Sequence, residues 1–498
     1  MPISQTDQLF FLVKSLTKAE KRNFTVYSKR IQDTENLGYI QLFEILDKQK
    51  DPDDDQILAK LKGIDKSQYS NFKRHLYKQL MISLRLIHIQ KKAEIEIREY
   101  LDFVDILYSK GLYLQSLKLL QKAKTLADKA NNDILYLSLL ETEKTIESRH
   151  ITRSGTDNTA LITSQALEKS ETILVNIKLS NLRLMVHAFY IKHGHVRNGA
   201  ESQNIIEFFD KSLPKMDTDK LNFPERVHLY QSLVWYYYIL LDFENCSTYA
   251  EKWIKTFVDN PEMIAQDPDL YMRGYHYLLT SLFNLRGKST YLKKLGELEK
   301  YRKDNYKKFS PNTQIISFLY VHHARLNKYF LEGTYSEGLV EIPKTIKRLQ
   351  RYKVKMDAHR IMVFYFKFAW MYLMAGQAGK AVDYLNEIQK MEIGALREDI
   401  QMYTRVMFIM AHYDLRNYDI IDYLCNSAKS FAQKIEDKNR LQLDTIAFFQ
   451  KIVRLPEGER KVEFKKFDDY MNALKYDKFE RRAFIYVDVT EWLSTKLK

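Results

Sequence analysis

Apolar residues recur along most of the chain at helical spacing, in groups that meet at short turns. In each group an apolar stretch ends at a small or polar turn residue, an aromatic residue usually follows two positions later, and small or apolar residues stand three, seven and ten positions after that. Residues at i, i+3, i+4 and i+7 form one stripe on an α-helix, so each group predicts a helical hairpin. The clearest hairpin contains Tyr365, Phe368, Ala369 and Tyr372, then Gly376, Ala378, Ala381, Leu385 and Ile388.

The hairpins recur with a nearly constant period. The turn positions 241, 287, 333, 376 and 416 are 46, 46, 43 and 40 residues apart. A further turn at Gly111 lies about three periods before position 241, which predicts turns near 154 and 198, where Ser154-Gly155 and Asn198-Gly199 stand. A fixed period of 20 to 50 residues is typical of solenoids, in which each hairpin covers its remaining apolar stripe by stacking on the next.

The offsets of the aromatic and small residues resemble those of the tetratricopeptide repeats. The resemblance covers roughly residues 95 to 435, and the stretch from Gly376 to Ile388 is its most specific part. It implies an all-α fold, a right-handed α-solenoid of about seven or eight TPR-like helical hairpins. The unit here has 40 to 46 residues, against about 34 in the family, so the family's peptide groove is not carried over. Pro343 falls inside a second helix, which we expect to bend or restart there.

The same patterns predict three parts of the chain. Residues 1–92 lack the repeat and read as an amino-terminal helical module, residues 93–435 as the TPR-like solenoid, and residues 436–498 as carboxy-terminal capping helices. In the module, Thr17 and Glu20 match a capping box, which predicts a helix from Thr17 toward Lys29. A second helix is expected over 39–48, and the acidic turn 51–55 is suited to cap the next one.

The segment 56–92 holds nine Lys or Arg residues and one acid. Ala59 and Gly63 have the spacing of a helix-turn-helix unit, with a turn at 63–65 and a second helix running to about Gln90. Two interpretations stay open: an ordinary helical hairpin with a solvated basic face, or a nucleic-acid reader. In the second interpretation the possible nucleic-acid contacts are Lys66, Gln68, Asn71, Lys73, Arg74 and Lys78.

Two more basic segments, 288–308 and 344–360, lie in the second helices of consecutive predicted hairpins. The whole chain has 78 Lys plus Arg against 64 Asp plus Glu, a formal charge of +14, which favours acidic partners or nucleic acid. Interleaved tyrosines suit RNA or an acidic protein segment, whereas the plainer interpretation is that lysine stems cover apolar helix surface. The predicted partner-binding patch consists of Lys293, Lys294, Arg302, Lys303, Lys347, Arg348 and Arg351.

No catalytic or metal-binding motif stands out in the sequence. It lacks a phosphate-binding glycine loop, HExxH, paired CxxC and GxSxG, so we expect no enzyme activity, no cofactor and no metal. Cys246 and Cys425 lie on apolar helical patterns and are expected to be reduced core thiols. The most apolar stretch, 361–376, carries Lys367 at its middle and reads as a buried helix. The start of the chain lacks the features of a secretory signal, which favours the cytoplasm.

These observations predict a non-enzymatic cytoplasmic scaffold or adaptor that binds a protein or peptide segment. The basic patches predict that this segment is acidic. The alternative is a DNA- or RNA-associated regulator that contacts nucleic acid through 56–92 and senses a partner with its repeats. An enzyme with a site assembled from scattered residues ranks third. The richness in Lys, Ile, Asn and Tyr suggests a bacterial source.

Overall fold

The computed structural model describes residues 5–31, 37–61, 66–89, 92–149, 156–352, 356–391, 398–435 and 438–497. Within these ranges the secondary structure consists of α-helices, α1 to α25, and short 3-10 helices, which confirms the predicted all-α fold. The hand of the solenoid stays a prediction. The chain forms two compact units, Met1–Leu174 and Val175–Lys498. No described helix combines the length and apolarity needed to cross a bilayer.

The first unit begins with a small bundle. Its helices are α1 (Gln5–Ser15), α2 (Lys18–Ile31), α3 (Leu37–Lys48), α4 (Asp54–Lys60) and α5 (Lys66–His88). The predicted capping box is present: the Thr17 amide donates to Glu20 at 2.7 Å and the Glu20 amide donates to Thr17 Oγ1 at 3.2 Å. Asp53 caps α4 by accepting from the Gln56 amide at 3.0 Å. Helix α5 packs on α2 and α3, and the predicted turn 63–65 lies outside the described residues.

The rest of the first unit carries the first predicted hairpin. Helices α6 (Ala93–Ser109) and α7 (Tyr113–Lys129) meet at Gly111, whose φ is 76°. Helix α8 (Asp133–Arg149) follows, and α9 (Thr156–His193) contains the boundary between the units. The turn predicted near 154 lies outside the described residues, whereas the one near 198 is present, because Asn198 caps the start of α10 (Gly199–Ser212).

The second unit is a run of hairpins. The first helices are α11 (Phe223–Ile239), α14 (Pro268–Asn284), α16 (Pro311–Glu332), α19 (Ala358–Met374) and α21 (Glu398–Asp414). The second helices are α12 (Phe243–Val258), α15 (Lys288–Asn305), α18 (Glu341–Tyr352), α20 (Ala378–Gln389) and α22 (Ile421–Lys434), and two short helices are α13 (Pro261–Gln266) and α17 (Tyr335–Gly338). Each first helix packs on its own second helix, and each hairpin packs on the next one.

The predicted turns are confirmed by the backbone. Left-handed conformations, with φ between 55° and 75°, occur at Leu241, Arg286, Gly333, Gly376 and Arg416, each on or next to a predicted turn. Cys246 and Cys425 are fully buried free thiols, and burial raises the pKa of each to about 12. The helix that contains Pro343 restarts at Glu341, as expected, so the proline lies in its first turn.

The carboxy-terminal helices do more than cover the last hairpin. After α23 (Arg440–Ile452) and α24 (Glu457–Leu474), a 3-10 helix (Glu480–Ile485) leads to α25 (Val489–Leu497). Residues 477–497, here called the strap, contact residues at or near the turns of four hairpins, in the same order as the hairpins follow one another. Its contacts are Arg481 to the Leu241 carbonyl, Asp488 to Arg286, Glu491 to Tyr335, and Trp492 to Asp414.

Two glycines should respond oppositely to the same substitution. Gly376→Ala is expected to lower the free energy of unfolding by about 1 kcal/mol, because an L-residue is strained at its φ of 75°. Gly296→Ala should raise it by about 0.5–1 kcal/mol, because Gly296 lies inside α15 and a methyl group there meets open space. Urea denaturation followed by circular dichroism measures both, and equal signs would contradict the turn assignment.

Candidate functional site

The second unit contains a cavity of about 1150 Å³. One wall is formed by the first helices α14, α16 and α19, which contribute one face each. The lining positions recur every three or four residues, at 273, 276 and 280, at 316, 320, 323 and 327, and at 360, 363, 367 and 370. This spacing places them on a single helix face, while the opposite faces pack into the hydrophobic core.

Faces of the first helices of three consecutive hairpins line the same wall. Arg273, Tyr320 and Lys367 follow one another at intervals of 47 residues, and so do His276, His323 and Trp370. Stacked hairpins place equivalent residues side by side. The wall is therefore a ladder of polar and aromatic side chains that runs across three helices.

The wall is basic because its helices nearly lack acids. Helices α14, α16 and α19 contain only Asp269 and Glu332, near their ends. Among the described residues, neither Arg273 nor Lys367 has a carboxylate within 4.0 Å. Both half-buried cations instead contact neutral groups, at Tyr320 and Asn327. The Arg273 Nε donates to Tyr320 Oη at 3.3 Å, and the Lys367 Nζ donates to Asn327 Oδ1 at 2.6 Å.

Burial holds the histidines of this wall neutral. The pKa of His276 falls to about 3, chiefly by burial and further by the charges of Lys367 and Arg273. The pKa of His323 also lies well below its usual value, again mainly by burial. The His276 ring stacks on Tyr320 with centroids 4.6 Å apart. The two imidazoles are thus aromatic surfaces, and Arg273 and Lys367 supply the positive charge.

Burial also acts on Lys367 itself. Removal of its ammonium group from water lowers the pKa of Lys367 from 10.5 to about 7. On α9, Arg183 extends the basic series: its Nε is buried without a hydrogen-bond partner, and its pKa is lowered by burial and by Arg273. His228 Nδ1 on α11 is likewise unpartnered, and burial lowers its pKa to about 4.

The strap lines the opposite side of the cavity. Lys478, Arg481 and Tyr486 contribute to it, together with Asp488 and Glu491. The two acids are already used by neighbouring cations. Arg286 lies 2.9 Å from Asp488 and 3.0 Å from Glu491, and Lys475 lies 2.6 Å from Asp488. These two acids are therefore engaged by cations other than Arg273 and Lys367.

The predicted partner-binding patch lies on the second helices α15 and α18, and none of its residues lines the cavity. Tyr306 and Tyr352 are joined between hydroxyls at 3.3 Å, so the two basic segments are neighbours, as predicted. Five patch residues are exposed: Lys293, Lys303, Lys347, Arg348 and Arg351.

The other two patch residues are half-buried. Lys294 lies 3.2 Å from Glu297, and the Arg302 Nε donates to Ser317 Oγ at 3.3 Å. Burial and the nearby Arg348 lower the pKa of Arg302. A role of the patch in partner binding stays a prediction.

The predicted nucleic-acid contacts lie on α5. Gln68, Asn71, Arg74 and Lys78 are exposed and follow helical spacing on one face. Lys73 departs from them, because its ammonium lies 3.4 Å from Asp54 and 4.4 Å from the Tyr69 ring centroid. Lys66 begins the helix, and its side chain lies outside the described residues.

Comparison with known proteins adds no relative. No family model, curated protein or solved structure matches the chain. Among the described residues, no group of three or more His, Cys, Asp or Glu side chains is arranged to hold a metal ion.

Proposed function

We propose that the protein is a non-enzymatic scaffold or adaptor that binds a protein or peptide segment in the cavity of its second unit. The observation that carries this proposal is the wall built from equivalent faces of α14, α16 and α19. A periodic wall suits an extended chain, because both repeat along one direction. The free buried thiols of Cys246 and Cys425 fit a reducing compartment such as the cytoplasm.

Site-specific photo-crosslinking tests this proposal. A photoreactive phenylalanine analogue at Val363, on the cavity wall, is expected to capture a segment of a partner in native lysate, identified by mass spectrometry. The matched control carries the same analogue at Tyr423 on α22, whose side chain is 73% exposed. Equal capture at both positions, or none at Val363, would contradict binding in the cavity.

The second candidate function is contact with nucleic acid through α5, favoured by the exposed face that carries Asn71, Arg74 and Lys78. Arg74→Glu with Lys78→Glu is expected to weaken binding to duplex DNA or RNA at least tenfold at low salt and to flatten its salt dependence. Lys118→Glu with Lys129→Glu, exposed on α7, is the control of equal charge. An unchanged affinity in the α5 variant would exclude this function for that face.

A further inference from the structure

We propose that the cavity recognises an acidic peptide segment, with carboxylates that bind Arg273 and Lys367. This inference rests on the proposed function and names the chemistry of its ligand. Acidic residues of the partner would then bind the wall formed by α14, α16 and α19, and not the predicted patch on α15 and α18.

Arg273 and Lys367 have no carboxylate partner within 4.0 Å among the described residues. A cation that leaves water loses solvation, and proteins normally compensate this loss with an opposite charge. Arg273 and Lys367 are half-buried, and their hydrogen bonds among the described residues go to the neutral groups of Tyr320 and Asn327. Carboxylates at Arg273 and Lys367 would supply the missing negative charge.

Arg273 and Lys367 also have hydrogen-bond donors that the described contacts do not use. Arg273 uses its Nε on Tyr320, and its terminal nitrogens have no partner among the described hydrogen bonds. Two terminal nitrogens present a fork that matches a planar carboxylate. The Lys367 ammonium has three donors, of which the described contact with Asn327 occupies one. The wall therefore retains donors for both oxygens of a carboxylate.

The length of the wall suits a short peptide segment. Adjacent packed helices lie about 8–10 Å apart, so the span from α14 to α19 across α16 is about 16–20 Å. An extended peptide covers about 3.3 Å per residue, so five or six residues fit along the wall. The lining is aromatic between the cations, with Tyr320, Phe366 and Trp370. A segment that mixes acidic and apolar residues is complementary to such a wall, whereas a small inorganic anion would leave most of it uncovered.

Two peptide libraries test the ligand class on the full-length protein. Both contain acetylated, amidated dodecapeptides labelled with a fluorophore; one has Asp or Glu at alternate positions, and the other has Asn or Gln there. We expect fluorescence anisotropy at low salt to show binding of the acidic library at least tenfold tighter than the neutral one. Equal binding of both libraries would overturn the inference and leave the proposed function standing, whereas no binding of either would count against the proposed function itself.

Matched variants locate the site. Arg273→Met with Lys367→Met is expected to weaken binding of the acidic library at least tenfold, and Arg273→Gln alone should weaken it about threefold to tenfold. Lys303→Met with Lys347→Met removes the same charge from exposed positions of α15 and α18 and should change binding less than twofold. Loss of binding in the second pair with retention in the first would overturn the inference. Circular dichroism of each variant confirms that the helices are retained.

Competition with inorganic phosphate distinguishes a carboxylate-binding site from a phosphate-binding site. Phosphate at 1 mM, with sodium chloride added to the reference sample at equal ionic strength, is expected to leave binding of the acidic library unchanged within twofold. Displacement by phosphate that salt does not reproduce would identify a phosphate site and overturn recognition of carboxylates.

Discussion

Lys367→Met is expected to raise the free energy of unfolding by about 2–4 kcal/mol at pH 6. The pKa of Lys367 is lowered from 10.5 to about 7 in the folded protein, because its ammonium is desolvated. At pH 6 the lysine is protonated in both states, so the folded protein carries the full cost of the buried charge. Methionine has a similar length and no charge.

The gain should shrink with rising pH. Between pH 7 and 10.5 the unfolded chain holds the Lys367 proton and the folded protein releases it, so this group makes the wild type more stable as pH rises. Urea denaturation of both proteins at pH 6 and pH 9 measures the difference. Lys380→Met, on the exposed face of α20, is the control and should change stability by less than about 0.5 kcal/mol. A destabilised Lys367→Met variant would contradict the uncompensated charge.

Trp492→Ala is expected to lower the free energy of unfolding by about 3–5 kcal/mol. The Trp492 side chain is 1% exposed and lies against the rings of Phe449 and Phe464. Its Nε1 donates to Asp414 Oδ2 at 3.0 Å. The substitution removes a large buried ring and leaves a cavity where the strap meets the hairpin of α21 and α22.

Thermal denaturation followed by circular dichroism measures the loss. Tyr476→Ala is the matched control, because Tyr476 adjoins the strap and is 88% exposed. The control should stay within about 0.5 kcal/mol of the wild type. Equal effects of the two substitutions would show that the strap is not anchored through Trp492.

The sequence predicted the hairpins because their turns have strong local causes. A turn needs a residue in the left-handed region, and the spacing of Gly333 and Gly376 with small residues in the next helix is visible in one dimension. The capping box at Thr17 is equally local. The strap could not be predicted, because its contacts join Arg481 to Leu241 and Trp492 to Asp414, far apart along the chain.

The basic wall was missed for a different reason. Charge counting finds clusters along the sequence, and such clusters lie on helices such as α15, where most of the basic side chains are exposed to water. The wall takes Arg273 from α14 and Lys367 from α19, and each lies inside an apolar stretch. The 47-residue spacing of Arg273, Tyr320 and Lys367 was the available signal. A lone lysine at the centre of the most apolar stretch was the second signal.

The strap also changes the order in which the second unit is completed. In an open repeat array each contact is local, and folding propagates from one hairpin to its neighbour. The strap adds contacts across more than 200 positions, such as Arg286 with Glu491, which raises the contact order of the unit. These residues leave the ribosome after every hairpin that they contact. The hairpins from α11 to α22 are therefore synthesised before the strap, and the cavity gains its second side only after the strap has been synthesised.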